Sequence, residues 1–125
     1  MKTPIDEKLL KQLRKNPPKV TNFDWYLISS RDELSESIIR EFKDYVNWNL
    51  ACYQQGMSID FLEKHLEYLD WYNVCRYQEL TEEFIERHQD KVNWVEIYKA
   101  QPQLSKEFFE RHHDQFLQAG EVKYE

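Results

Sequence analysis

The sequence predicts an all-α protein, a short α-solenoid of stacked two-helix repeats with an N-terminal capping helix. Three observations carry that prediction. The four tryptophans, Trp25, Trp48, Trp71 and Trp94, fall 23 residues apart, and a fixed period of roughly 20 to 50 residues marks a repeat array. Each period contains two hydroxyl, Asp or Asn positions placed to cap a helix. The 125 residues hold four Trp, eight Tyr and seven Phe against only two Gly and four Pro, which suits a compact helical body better than a sandwich, a barrel or a disordered segment. That length gives one domain, 1–125, large enough to bury a core without staples.

Taken in order, Thr3, Pro4 and Asp6 read as a helix start: a hydroxyl cap, a proline at the first helical position and an early acid. Ile5, Leu9, Leu10 and Leu13 fall on one face, with Lys8, Lys11, Arg14 and Lys15 around the other, until Asn16, Pro17 and Pro18 stop the helix. This segment, 3–16, is expected either to cap the open end of the array or to dock a partner. Residues 19–33 form a partial repeat with only its second half legible. Three full repeats follow at 34–56, 57–79 and 80–102, then a half repeat at 104–117 after the extra Gln103, and a frayed tail at 118–125.

Within a repeat, Ser35, Ser58, Thr81 and Ser105 stand where a hydroxyl caps the first helix, and Glu36, Asp60, Glu82, Glu83 and Glu107 crowd its first turn, where the helix dipole favours acids. The pairs Ile38-Ile39, Phe61-Leu62, Phe84-Ile85 and Phe108-Phe109 point inward. Asp24, Asn47, Asp70 and Asn93 precede the tryptophans and cap the second helix, which presents Trp48, Ala51 and Cys52, or Trp94, Ile97 and Tyr98, as an apolar stripe. Helices of about ten residues are marginal alone in water, so stability must come from stacking, with the tryptophans in the spine.

Read along 80–101, L-T-E-E-F-I-E-R-H-Q-D-K-V-N-W-V-E-I-Y-K-A-Q resembles the short helical repeat of large DNA virus and bacteriophage proteins. The resemblance covers residues 23–116 and is most specific at the Asn/Asp-Trp pair and the Leu-Ser/Thr opening. It implies a viral or prophage origin and an interaction role, and it brings no catalytic motif. The chain departs from the pattern at Ala51 with Cys52, at Leu66, and in the opening helix of the first repeat.

Charge narrows the partners. Of the net −6, residues 1–20 carry six Lys or Arg against two acids, or +4, which leaves −10 for residues 21–125. Attraction to nucleic-acid phosphates would have to come from the N-terminal segment alone, so no direct nucleic-acid partner is expected. No apolar run approaches the roughly 18 to 20 residues of a membrane helix. Two cysteines, and no charged n-region followed by an apolar h-region, lead to the expectation of an intracellular protein in the cytoplasm of a host cell.

The chemistry-bearing residues read as structural. His65, His88 and His112 share one column, but equivalent positions on stacked helices lie roughly 8 to 10 Å apart, too far to converge on one metal ion. They are expected to be packed, hydrogen-bonded imidazoles or a pH-sensitive interior, with Phe42 in the same column. Cys52 and Cys75 share another column and read as core thiols. No P-loop, G-x-G-x-x-G, H-E-x-x-H or C-x-x-C occurs. No cofactor, metal or catalytic residue is expected. Acids such as Glu82, Glu83 and Glu107 read as a solvated surface with Glu86, Arg87 and Arg111 at helical spacing.

The outward positions are where the repeats differ. Tyr26, Tyr45, Tyr53, Tyr68, Tyr72, Arg76 and Tyr77 set aromatics and an arginine in a field of acid, and tyrosine and arginine are common anchors of protein interfaces. These seven are the predicted partner-binding residues, with Tyr45, Tyr68 and Tyr72 expected on one strip, although half of the tyrosines could instead lean on neighbouring repeats. The expected function is a non-enzymatic module that binds and modulates a host protein. The alternative is an acidic nucleic-acid mimic that inhibits a host nuclease or defence complex.

Overall fold

The computed structural model describes residues 3–4, 7–15, 28 and 32–119, and these are dominated by helix. Most of the partial repeat, with Trp25 and Tyr26, lies outside the described residues, as does the tail beyond Ala119. The chain divides into two compact units, residues 1–69 and 70–125. The boundary falls inside the 57–79 repeat, between its two helices.

In the first unit, α1 runs Glu7–Lys15, and the predicted helix start at Thr3 and Pro4 is not helical. Thr3–Pro4 (β1) instead pairs in parallel with Asp32–Glu33 (β2) as two-residue strands, in register Thr3 with Asp32 and Pro4 with Glu33. A proline, with no N–H to donate, suits a short edge pairing, and the pairing with the distant Asp32–Glu33 takes the place of the helical start. Leu10 and Leu13 of α1 are buried. Its Arg14 sends Nε and Nη2 to the two carboxylate oxygens of Glu41, at 2.8 and 3.1 Å.

α2 (Glu36–Glu41), α3 (Trp48–Gln54) and α4 (Ile59–Lys64) are further helices of this unit. The second unit contains α5 (Trp71–Tyr77), α6 (Glu82–Arg87), α7 (Trp94–Ala100), α8 (Lys106–Arg111) and α9 (His113–Gln118). Within it, α7 packs against α5 and α9. Every predicted hydroxyl cap on the first helices is made: Ser35, Ser58, Thr81 and Ser105 accept from the amides of Ile38, Phe61, Phe84 and Phe108. The second helices are capped by Asn47, Asp70 and Asn93, which accept from the amides of Leu50, Asn73 and Glu96. Helices of six or seven residues depend on such caps, because their orphan amides are nearly as numerous as their internal bonds.

Each first helix ends at Phe42, His65, His88 or His112, whose backbone leaves the helical region. A tight turn follows, as in Tyr45 N–H to Phe42 O and Lys91 N–H to His88 O, both 2.9 Å. After His65 the turn tightens into a 3₁₀ segment, Leu66–Tyr68. The half repeat differs most: α9 follows His112 at once, with no Asn/Asp-Trp pair, and its buried Phe116 meets the Trp94 ring edge-on at 5.3 Å.

The core is built from both members of a pair where the neighbours allow it. Phe61, Leu62, Phe84 and Ile85 are buried, whereas of the other two pairs only Ile39 and Phe108 are. Leu34, Met57, Leu80 and Leu104, which open the repeats, are also buried. The three described tryptophans are half-buried and lie on the first helix of the following repeat: Trp48 stacks on Phe61 at 6.1 Å and Tyr68 at 5.1 Å, Trp71 on Phe84 at 5.9 Å, Trp94 on Phe108 at 6.5 Å. Two of them donate Nε1–H to the carbonyl five residues earlier, Trp48 to Lys43 O at 2.8 Å and Trp94 to Gln89 O at 3.2 Å.

Candidate functional site

The two units divide the predicted partner-binding residues. Tyr45, Tyr53 and Tyr68 belong to residues 1–69, and Tyr72, Arg76 and Tyr77 to residues 70–125. Tyr45 and Tyr53 are exposed. Tyr68 is not the free anchor its position suggested: it is half-buried, its ring lies against Trp48, and its hydroxyl donates to Asp44 Oδ1 at 3.1 Å. Tyr98, expected in the apolar stripe of α7, is 44% exposed and rests against Phe109 and Phe116 at 6.1 and 5.6 Å. Its counterparts one and two repeats earlier are the fully buried Cys75 and Cys52, so a position that accepts a thiol turns a phenol outward.

Three predicted residues do come together, on α5. Tyr72 and Arg76 stand one turn apart on one face of α5, and the Arg76 side chain also reaches the ring of Tyr77, the residue that follows it. Tyr72 is 46% and Tyr77 43% exposed. The Arg76 guanidinium carbon lies 5.9 Å from the Tyr72 ring centre and 5.5 Å from that of Tyr77, within the range of cation–π attraction. From below, Glu96 of α7 holds it: Nη1 donates to Glu96 Oε1 at 3.2 Å and to the Tyr72 hydroxyl at 2.9 Å. Glu96 is 5% exposed, and a buried carboxylate without a cation would be costly. Sequence reading missed Glu96. The signal was an acid, 20 residues after Arg76, at a position where the preceding repeats carry Asn73 and Leu50.

The histidines and cysteines serve the interior. His65 donates Nδ1–H to Phe61 O at 2.9 Å and stacks on Phe61. His112 donates Nε2–H to Glu86 Oε1 at 2.7 Å, with Arg111 Nη2 on the same oxygen at 2.9 Å. Both bonds hold the Glu86 carboxyl below the usual carboxylate range, that from His112 more strongly. Cys75 is buried, accepts from Asn93 N–H at 3.3 Å, and has its thiol pushed up to about 12 by burial, so the reactive thiolate is suppressed. Among the described residues no group of His, Cys, Asp and Glu could hold a metal ion, and no helix is long and apolar enough to cross a membrane.

Two further sets of contacts tie the repeats, and neither was foreseen. The acid at the first position of a first helix holds the next cap: Glu36 accepts from Ser58 N–H at 2.6 Å and Ser58 Oγ–H at 3.0 Å, and Glu82 accepts from Ser105 N–H at 2.8 Å. Gln55, Gln78 and Gln101, just after the second helices, are buried. Gln55 Oε1 accepts from Leu34 N–H at 3.0 Å and Gln101 Oε1 from Leu80 N–H at 3.2 Å. Gln101 Nε2 also donates to Cys75 O and Gln78 O, both at 2.7 Å, satisfying carbonyls that the end of α5 leaves open.

No family model, curated protein or solved structure matches the chain. The functional reading therefore rests on the geometry of the site.

Proposed function

We propose that the chain is a short stacked-repeat interaction module of the viral or phage kind, which works in the cytoplasm of a host cell by binding a host protein and performs no chemistry of its own. The observation that carries this reading is the α5 surface: two exposed tyrosines flank an arginine already fixed by Glu96. Rigid aromatics and a pre-ordered guanidinium lose little freedom on binding, which is the usual economy of an interface anchor. The solenoid reading is supported by the recurrence of the same caps, by the acid-to-cap contacts and by the glutamine ties, all at or near the sequence period. The buried face of α1 and its Arg14–Glu41 fork favour a capping role for that helix.

The test is capture from host lysate by the tagged protein and by its Tyr72→Ala, Tyr77→Ala double variant. The variant should lose the captured protein while its unfolding free energy changes by no more than about 0.5 kcal/mol per substitution, as exposed sites do. Undiminished capture would overturn the assignment to this surface. The mimic reading predicts instead that capture fails at moderate salt and on charge reversal at the exposed Glu83 and Asp90. Glu82 and Glu86 are unsuitable for that comparison, since they hold Ser105, Arg111 and His112.

A further inference from the structure

Arg76 is a half-used donor. A guanidinium has five N–H groups, and the two on Nη1 are accounted for by Tyr72 Oη and Glu96 Oε1. Nε–H and the two hydrogens of Nη2 have no partner among the described residues, and the side chain is 45% exposed. These three belong to the edge of the guanidinium that forms two parallel bonds to a planar oxyanion. Held through Nη1 and flanked by two tyrosine rings, that edge is pre-oriented.

We infer that the α5 surface recognises a single carboxylate, an Asp or Glu side chain set among apolar residues on the partner protein, through the Nε and Nη2 edge of Arg76 between Tyr72 and Tyr77. This rests on the interaction reading above. Charge selects the carboxylate over a phosphate. Glu96 already cancels the charge of Arg76, and residues 21–125 carry a net −10, so a dianion or a polyanion meets repulsion that one negative charge largely escapes. The rings supply the second requirement, because an acid flanked by apolar side chains can cover Tyr72 and Tyr77 while it reaches the arginine.

The inference is tested with acetate and inorganic phosphate as probes, titrated at constant ionic strength into the full chain while the Arg76 Nε–H and the ring resonances of Tyr72 and Tyr77 are followed by NMR. Acetate should produce a saturable shift at Arg76 and at both tyrosine rings, the ring shifts should disappear in Arg76→Lys, which keeps the charge but loses the fork, and phosphate should produce weaker ones. Glu96→Gln keeps an acceptor for Nη1 and removes the cancelling charge, so it should tighten acetate binding several-fold. No saturable acetate shift, equal shifts of the Tyr72 and Tyr77 rings in Arg76→Lys, or stronger binding of phosphate would each overturn the inference. Host-protein capture separates the two readings. With the carboxylate, Arg76→Lys should weaken capture roughly tenfold or more, the scale of a hydrogen bond to a charged group. If Tyr72→Ala with Tyr77→Ala abolishes capture and Arg76→Lys leaves it intact, the interface stands and the carboxylate does not.

Discussion

Glu86 gathers Arg111 and His112 on one carboxylate oxygen and so fastens α8 to α6. Because its pKa is lowered in the folded protein, first by His112 and then by Arg111, the unfolded chain takes up its proton at higher pH than the folded one. The contribution to stability is complete above the unfolded carboxylate value and is lost as pH falls through the lowered folded value. Urea midpoints followed from neutral into acid solution should therefore fall less steeply for Glu86→Gln than for the parent, and parallel curves would show that Glu86 is not the titrating group. Gln101 makes a larger claim. Replacing it with Leu removes the partner of Leu80 N–H, Cys75 O and Gln78 O. At about 1 to 3 kcal/mol for each buried group left unpaired, the loss should exceed about 3 kcal/mol in denaturant melts. The role of Gln101 was hard to read from the sequence, where a polar residue after a short helix suggests solvent. Its partners lie 21 to 26 residues away, and only the 23-residue recurrence of Gln55, Gln78 and Gln101 hinted at them.

At the scale of the helix, the caps were legible because donor and acceptor lie within three residues, so the sequence itself contains the whole interaction. Ser35 and Ser58 now separate local capping from the tie between repeats. Ser35→Ala removes the bond to Ile38 N–H, whereas Ser58→Ala removes both the bond to Phe61 N–H and the hydroxyl that Glu36 holds. Each should destabilise by about 0.5 to 2 kcal/mol, with Ser58→Ala the costlier, and equal losses in paired melts would count against the tie. The start of α1 was misread because the same Thr-Pro pair satisfies a cap and an edge strand, and only the distant Asp32–Glu33 decides between them. Tyr68 was misread for a related reason: its ring lies against Trp48 and its hydroxyl is held by Asp44, 20 and 24 residues earlier in the chain. The Tyr72, Arg76 and Tyr77 surface was legible, since one helix carries it, but the Glu96 beneath it belongs to another.

For the molecule as a whole, the helical class was visible in the 23-residue period, and the division between Leu69 and Asp70 was not. A sequence repeat groups α5 with the α4 before it. The contacts of α5 bind it forward, through Arg76 to Glu96, Cys75 to Asn93, and Cys75 O and Gln78 O to Gln101. A fragment of residues 70–125 should consequently keep a helical far-UV spectrum and a cooperative melt, while 80–125, which lacks α5, should lose most of both. Equal stability of the two fragments would show that α5 adds nothing to the second unit.

The glutamine ties also run against the direction of synthesis. As the chain leaves the ribosome, Leu34 must wait for Gln55, and Leu80 with the last carbonyls of α5 must wait for Gln101. Until then those polar groups can be satisfied only by water. The repeats of this protein are thus completed one behind the point of growth, and a ribosome halted just before residue 101 holds a chain with an unfinished interior.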